Sequence, residues 1–295
     1  MRWRGNLLLL LAAFIWGTTF VAQQVGMDRL GPFTYAAGRY FLGMLALAVL
    51  WYGYRGARET ARRAGTYQSG WKAGMGAGAI MFCASSLQQV GMQYTTVGKA
   101  SFITCLYLIL VPLAGVFLKQ HIRLENWAGA VLALTGLYFL CVKESLSLGY
   151  GDALLLICSV FWTMHILYIG ANAALVDVIE LSLSQVGVTF LGSMAAALAF
   201  ETFAWEDLFA AWFPIFYGGV LSTGVAFTLQ IIGQKYAEPA SAAILMSLES
   251  VFGALGGWAL LGERLAPIEL FGCVLMAAGM LVTQLGGFWR KKAKD

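Results

Sequence analysis

The sequence predicts an all-α integral membrane protein in which ten transmembrane helices form two inverted five-helix repeats. Three observations lead to this fold class: the composition, the recurrence of apolar runs of helix length, and an internal repeat. Of the 295 residues, 60% are hydrophobic and only 12% are charged, and the mean hydropathy is +0.74. A soluble domain carries about twice that share of charge, so the excess apolar surface is expected to face lipid.

Ten apolar runs follow one another, each near the length of about 20 residues that crosses a bilayer as a helix. The first run continues past Trp16 without a small-residue cleavage site, which favours an uncleaved helix over a signal peptide. The connection at 55–70 is long and polar but too short to form a domain. The predicted spans are 6–25, 32–53, 72–92, 99–118, 125–142, 150–170, 180–200, 212–233, 239–261 and 266–288.

The positions of lysine and arginine predict that both termini are cytoplasmic. Cytoplasmic loops of membrane proteins are enriched in positive charge. With the amino terminus inside, the acidic residues Glu201, Glu206 and Asp207 lie outside, and most basic residues lie in the cytoplasm, among them Arg2, Arg4, Arg55, Arg58, Arg62, Arg63, Lys72, Arg123, Lys235, Arg290, Lys291 and Lys292. The basic end WRKKAKD is expected to face anionic membrane lipid and not nucleic acid.

The two halves of the chain match each other at an offset of 142 residues. LQQVGMQYTTVGKASFITCLYLIL aligns with LQIIGQKYAEPASAAILMSLESVF, so Gln88 corresponds to Gln230 and Tyr107 to Glu249. The match keeps the helical register across the segment, which indicates a structural repeat.

Outside that segment an offset of 146 pairs Trp16 with Trp162. We therefore divide the chain into repeats at 1–145 and 146–295, each with five predicted helices. Because five is an odd number, the second repeat enters the membrane from the opposite side. Inverted repeats are typical of alternating-access transporters, which bind their substrate near the membrane midplane between the two copies.

Three stretches resemble the drug/metabolite transporter superfamily, specifically its EamA-type members: FIWGTTFVAQQVGM, YTTVGKASFITCLYLILVPL and SLESVFGALGGWALLGERL. The resemblance implies ten helices in two inverted repeats, a bacterial inner (plasma) membrane, and export or exchange of small metabolites, often amino acids or their relatives. The family commonly has proline after the glutamate of the ninth helix, where this chain has Ser250, so a helix break at Glu249 is left open. The GER element, with Glu263 and Arg264, occurs once.

Two predicted helices carry aromatic and polar residues at roughly helical spacing, which places them near one face: Trp16, Thr19 and Gln23 in the first helix, and Trp162, His165 and Tyr168 in the sixth. The two faces could line a substrate cavity with aromatic walls and a few directed hydrogen bonds. Alternatively, the aromatic residues pack between helices or at the membrane interface, and His165 is a hydrogen-bonded buried group.

Polar residues in other spans complete the predicted substrate-binding set: Arg39, Gln88, Thr104, Tyr107, Gln230 and Glu249. An ionised side chain in the middle of a bilayer is unfavourable by roughly 3 kcal/mol, so Glu249 is expected to face a cavity. There, together with Tyr107, it could bind a substrate ammonium group or carry a coupling proton. Arg39 could pair with a substrate carboxylate, pair with a protein acceptor, or reach the interface. The glutamines, and a protonated Glu249, could instead hold helices together.

The sequence contains none of the motifs HExxH, GxSxG or the P-loop, and no carboxylate cluster, so we expect no enzyme, cofactor or metal site. Five cysteines, Cys83, Cys105, Cys141, Cys158 and Cys273, lie in apolar runs and are expected to form no disulfide. We predict a secondary transporter that exports amino acids or related amphiphilic compounds. The alternatives are a non-transporting scaffold or receptor and a carrier of nucleobases, cations or drugs. Proton coupling and the oligomeric state are left open.

Overall fold

The computed structural model describes residues 2–95, 97–120, 122–141, 149–202, 204–261 and 265–292, and every regular element in these ranges is a helix. Within these ranges, eight segments are long and apolar enough to cross a membrane. The protein is therefore an all-helical, multi-pass membrane protein. The predicted repeat boundary between residues 145 and 146 lies outside the described residues, as do Glu263 and Arg264 of the GER element.

The first half of the chain contains seven helices. They are α1 (Arg2–Met27), α2 (Pro32–Gly53), α3 (Arg55–Arg63), α4 (Trp71–Met92), α5 (Val97–Thr104), α6 (Tyr107–Phe117) and α7 (Leu124–Cys141). The polar connection of the sequence prediction thus contains a short helix, α3, because its nine residues include two alanines and four arginines, which favour helix.

The second half contains eight α-helices and one π-helix. They are α8 (Tyr150–Asn172), α9 (Val178–Phe200), α10 (Trp205–Ala210), α11 (Trp212–Phe216), the π-helix (Tyr217–Ala226), α12 (Phe227–Gln234), α13 (Pro239–Met246), α14 (Glu249–Leu261) and α15 (Pro267–Lys292). The eight membrane-length segments are 3–27, 32–53, 100–117, 150–172, 178–200, 212–234, 239–256 and 267–285.

Two further helices, α4 and α7, occupy the positions of the third and fifth predicted spans. Helix α4 has 22 residues, and the apolar part of α7 is the shorter segment 124–140. Ten membrane crossings therefore stay a prediction, because these two helices do not meet the same criteria of length and hydropathy.

Two of the long segments are interrupted in the middle of the bundle. Helix α5 ends at Thr104 and α6 begins at Tyr107, while α13 ends at Met246 and α14 begins at Glu249. At the first break the amide of Leu108 donates to Cys105 O (3.0 Å), three residues earlier instead of four. At the second, the amide of Ser250 donates to Ser247 O (3.2 Å). The helix therefore breaks at Glu249 although serine, and not proline, follows the glutamate.

The π-helix interrupts the eighth predicted span. Thr223 Oγ1 donates to Gly218 O (2.8 Å), five residues earlier, which matches the wider turn. Glycines in the π-helix and in α2 allow the two segments to approach closely. A Cβ atom on Gly219 of the π-helix would lie 2.7 Å from Arg39 O, and one on Gly43 of α2 would lie 3.0 Å from Gly219 O. π-Helical segments are rare, and short π-bulges within α-helices frequently occur at functional sites.

Helix α9 is fastened at both ends by carboxylates. At its start, Glu180 accepts hydrogen bonds from Gly70 N (3.1 Å) and Tyr67 Oη (2.7 Å), just before α4. Just after its end, Glu201 accepts from Phe33 N (2.8 Å) and Thr34 N (2.7 Å) in the first turn of α2. Two amides that a helix start leaves without intrahelical partners are thus satisfied by one side chain. Helices α2, α4 and α9 are therefore packed as one group.

The two ends of the bundle can be named from such contacts. At the terminal end, the Asn6 side chain of α1 donates to Gln284 of α15. At the distal end, Thr95 Oγ1 donates to Asp152 Oδ1 (2.9 Å), which joins the end of α4 to the start of α8.

Candidate functional site

A cavity lies in the middle of the bundle and is lined by residues from both halves of the chain. The space open to the centre of a water molecule is about 60 Å³, enough for several waters. The lining residues are Trp16, Phe20, Gln23, Arg39, Gln88, Thr104, Tyr107, Trp162, Ile166, Ser222, Phe227, Gln230, Met246 and Glu249. Nine of the twelve predicted site residues are thus brought together here; their binding of a substrate stays a prediction.

An aromatic wall closes one side of the cavity. Phe227, at the junction of the π-helix and α12, lies between the two tryptophans that the repeat pairs. Its ring centroid is 4.9 Å from that of Trp16 and 6.0 Å from that of Trp162, with the second pair stacked at 17°. Trp162 is held in place because its indole N–H donates to Gln88 Oε1 (3.0 Å). The wall offers a flat apolar surface to a ligand.

Glu249 lies at the second helix break, between α13 and α14, and its side chain lines the cavity. Residues of the first break, between α5 and α6, donate hydrogen bonds to its carboxylate. Tyr107 Oη donates to Glu249 Oε1 (3.0 Å), and Cys105 Sγ donates to the same oxygen (3.3 Å). Only 7% of Glu249 is exposed, at the cavity. The tyrosine and the glutamate that correspond at the 142-residue offset are therefore in direct contact.

Arg39 supplies the opposite charge. It is 6% exposed, and its Nη2 donates to Tyr40 Oη (2.8 Å) while the guanidinium lies 4.6 Å from the centroid of the Tyr40 ring. In the part of the chain that the structure describes, no acidic side chain forms an ion pair with Arg39. A buried guanidinium held by aromatic rings keeps its charge available for an anionic group in the cavity.

Several lining side chains carry buried polar atoms that have no hydrogen-bond partner in the protein: Trp16 Nε1, Gln23 Oε1, Arg39 Nε and Gln230 Oε1. Such atoms are uncommon in folded proteins and call for a ligand or water. Both donors and acceptors are present, so the cavity suits a ligand that has both. Among the described residues, the cavity included, no group of three or more His, Cys, Asp or Glu side chains could hold a metal ion.

Three predicted site residues do not line this cavity. Thr19 is fully buried and donates to Ile15 O (2.6 Å), and His165 is fully buried against Gln185 Oε1 (3.1 Å). Tyr168 packs on α4, where its hydroxyl lies 2.4 Å from a Cβ atom placed on Gly76. The reason is the helical angle: three residues along a helix is a rotation of about 60° away from the starting face, and six residues is about 120°.

Five lining residues were not predicted: Phe20, Ile166, Ser222, Phe227 and Met246. Phe20 and Ile166 each lie four residues after a predicted tryptophan, a rotation of only about 40°. They also correspond to each other at the 146-residue offset, a signal that could have identified both. Ser222 and Phe227 depend on the π-helix, which the sequence pattern does not indicate.

Known proteins match this chain over nearly its whole length. A sequence model of the EamA-like transporter family matches it twice, over residues 3–142 and 149–285. An uncharacterized transporter of Archaeoglobus fulgidus is 29% identical over 282 residues, covering 95% of this chain and 86% of the relative. The uncharacterized transporter YoaV of Bacillus subtilis is 23% identical, covering 93% and 94%. A crystal structure of a protein that is 18% identical has the same fold, with a TM-score of 0.79 and coverage of 95% and 96%.

Proposed function

Because the chain belongs to the EamA-like transporter family, as its sequence resemblance suggested, we propose that it is a secondary transporter of small zwitterionic metabolites of the amino-acid type. It exports them across a bacterial plasma membrane. The observation that carries the proposal is the central cavity, whose lining includes one guanidinium, one carboxylate and the aromatic wall.

The cavity has a partner for each part of a zwitterion. Arg39 binds the substrate carboxylate, since a guanidinium forms charge-assisted hydrogen bonds with carboxylates. Glu249 binds the substrate ammonium group, and the indoles of Trp16 and Trp162 contact the apolar side chain. The amide of Gln23, which has a buried oxygen without a partner, adds an acceptor.

The mechanism is alternating access by two inverted repeats of five membrane-crossing helices each. The two helix breaks support this architecture, because Cys105–Leu106 and Ser247–Leu248 are separated by the same 142 residues that align the halves in sequence. The two matches to the family fall on either side of residues 143–148. In addition, α2 packs on α9 and α7 packs on α15, and each pair joins helices at equivalent positions of the two halves.

Glu249 also carries a coupling proton between the two sides. Its contact with Tyr107, and its position where the two broken helices meet, let a proton and a substrate ammonium group compete for one carboxylate. This competition couples the two fluxes in opposite directions when the carrier changes orientation only with the carboxylate occupied.

The test is release from proteoliposomes preloaded with a mixed pool of amino acids, with and without a pH gradient. We expect the wild-type protein to release a defined subset, faster when the gradient drives protons inward. Glu249→Gln is expected to remove the effect of the gradient because the amide cannot take up the proton.

Other outcomes would redirect the proposal. Retention of every amino acid, with release of nucleobases, cations or drugs from parallel pools, would overturn the zwitterion class. Failure with all pools would favour a scaffold or receptor. An unchanged gradient effect in Glu249→Gln would remove coupling from this residue and leave transport in place.

A further inference from the structure

A chain of hydrogen bonds leads from Glu249 away from the cavity. Cys105 Sγ, which donates to Glu249 Oε1 (3.3 Å), is also 3.2 Å from Ser250 Oγ. Ser250 Oγ is in turn 2.8 Å from Ser101 Oγ in α5. Cys105, Ser250 and Ser101 do not line the central cavity. Glu249 is therefore connected to two environments, the cavity on one side and a line of hydroxyl and thiol groups on the other.

Each member of the chain can both donate and accept a hydrogen bond. Cys105 is fully buried, Ser250 is 5% exposed and Ser101 is 7% exposed, so bulk water does not replace the internal contacts. Helix α5 begins at Val97, just after Thr95, whose hydroxyl meets Asp152 at the distal end. Ser101 therefore lies about one turn from the distal end, and Glu249 lies deeper.

We propose that Ser101, Ser250 and Cys105 form a proton relay that connects Glu249 to the distal side of the membrane without passing through the substrate cavity. This rests on the proposed proton coupling at Glu249. A hydronium ion that has reached Ser101 from the distal end gives one proton to Ser101 Oγ, which passes its own proton to Ser250 Oγ. Ser250 passes a proton to Cys105 Sγ, and Cys105 passes one to the Glu249 carboxylate. Every relay group keeps one proton, and the net change is a protonated Glu249 and a water molecule.

Few ionisable groups other than the relay residues lie near Glu249 in the described part of the chain. Besides Cys105 and Tyr107, which bind its carboxylate, Cys158 of α8 is close enough to interact with it electrostatically. Arg39 of α2 lines the same cavity as Glu249. Helix α1 packs on α14, but its charged residues, Arg2 and Arg4, lie in its first turn at the terminal end. On α7, Tyr138 packs on Phe102 and is 41% exposed.

The relay explains how a proton could arrive while a substrate occupies the cavity. A bound ammonium group covers the cavity side of Glu249, whereas Cys105, which does not line the cavity, donates to Oε1. With both termini in the cytoplasm, the distal side is outside the cell. A proton from outside can then displace the substrate toward the exit, which is the order of events that proton-driven export needs.

The test uses full-length variants in proteoliposomes with two readouts: release driven by a pH gradient, and substrate counterflow, an exchange without net proton movement. We expect Ser250→Ala to lose acceleration by the gradient and to keep wild-type counterflow. Ser250→Thr keeps the hydroxyl and is expected to keep the acceleration. Cys105→Ala and Cys105→Ser form a second pair, in which acceleration by the gradient is compared with each variant's own counterflow, because Cys105 also holds the Glu249 carboxylate. We expect Cys105→Ala to lose the acceleration and Cys105→Ser to keep it.

Ser247→Ala is the matched control. Ser247 is a fully buried serine of the same helix break, and its hydroxyl donates only to Ile244 O (2.9 Å). We expect it to keep both readouts. Equal acceleration in Ser250→Ala and wild type would overturn the relay and leave coupling at Glu249 intact. If the rate of release by the wild-type protein does not depend on the pH gradient, both the relay and proton coupling at Glu249 are overturned. A loss of counterflow in Ser250→Ala as large as the loss of acceleration would show a structural role and would also overturn the relay.

Discussion

At the scale of single residues, the two halves contribute different chemistry at equivalent positions. Arg39 corresponds to Gln185 at the 146-residue offset, yet Arg39 lines the cavity and Gln185 is fully buried beside His165. The cavity therefore carries its positive charge on one side only. If the proposed zwitterion binds there, we expect it to have a single favourable orientation.

Replacing Arg39 by glutamine tests this orientation. We expect Arg39→Gln to raise the KM for a transported zwitterion by on the order of 10- to 100-fold, because a hydrogen bond between charged groups contributes about 1.5–3 kcal/mol. Arg39→Lys, which keeps the charge but not the planar geometry, should have a smaller effect. The measurement is the initial rate of uptake into proteoliposomes over a range of substrate concentrations.

The control for this variant is a substrate and not a second mutation. An amine analogue without the carboxylate loses the partner of Arg39, so its KM should be the same in Arg39→Gln and in the wild type. An equal rise in KM for the zwitterion and the amine would show that Arg39 stabilises the fold of the cavity and does not bind the carboxylate.

Much of the candidate site follows from the sequence, since a carboxylate, a guanidinium and amides in apolar runs have few stable positions other than a shared interior. This argument places Glu249, Arg39 and Gln88 together without a structure. It does not give helix rotation to better than about a third of a turn, which is why Thr19 and Tyr168 were grouped with residues on a different face.

At the scale of helices, α1 closely approaches the second break. A Cβ atom on Gly17 would lie 2.5 Å from Glu249 O and 2.7 Å from Gly253 N. Gly17 is therefore the residue that lets α1 pass directly over the start of α14. Trp16 directly precedes Gly17, so this contact also positions the aromatic wall.

We expect Gly17→Ala to destabilise the protein by about 1–3 kcal/mol, the usual effect of overpacking a tight contact. Thermal unfolding in detergent, followed by tryptophan fluorescence, would show a lower Tm. Gly256→Ala is the matched control on α14, because its added Cβ would be 3.6 Å from Thr18 Cγ2, an ordinary contact. If both variants unfold at the wild-type temperature, the close approach is not required.

Helix existence was predictable from hydropathy, whereas the helix interruptions were not. A helix break and a π-helix differ from an α-helix only in which backbone carbonyl accepts the hydrogen bond of each amide. Which carbonyl accepts it depends on side chains that are distant in sequence. Pro112, the residue that could have marked the break in the fourth span, lies inside α6, seven residues after Cys105. The hydrogen bonds between Ser250, Cys105 and Glu249 at the crossing point come from two different halves of the chain.

At the scale of the whole molecule, the proposed topology is testable by reporter fusions. Alkaline phosphatase is active only outside the cytoplasm. We expect low activity when it follows residue 295 and high activity when it follows residue 145, because five crossings leave the chain outside and ten return it inside. Green fluorescent protein at the same two positions should give the opposite pattern. Phosphatase activity after residue 295 would contradict an even number of crossings.

The fastening of α9 has a mechanical consequence. Its 23 residues span about 35 Å, close to the thickness of a membrane, and carboxylates at its two ends hold α4 and α2. Helix α9 therefore cannot tilt relative to α2 and α4 without breaking the hydrogen bonds at one of its ends. We therefore expect α2, α4 and α9 to stay fixed relative to one another during transport. The helices on either side of the two breaks, α5, α6, α13 and α14, are expected to move relative to this group together with α1.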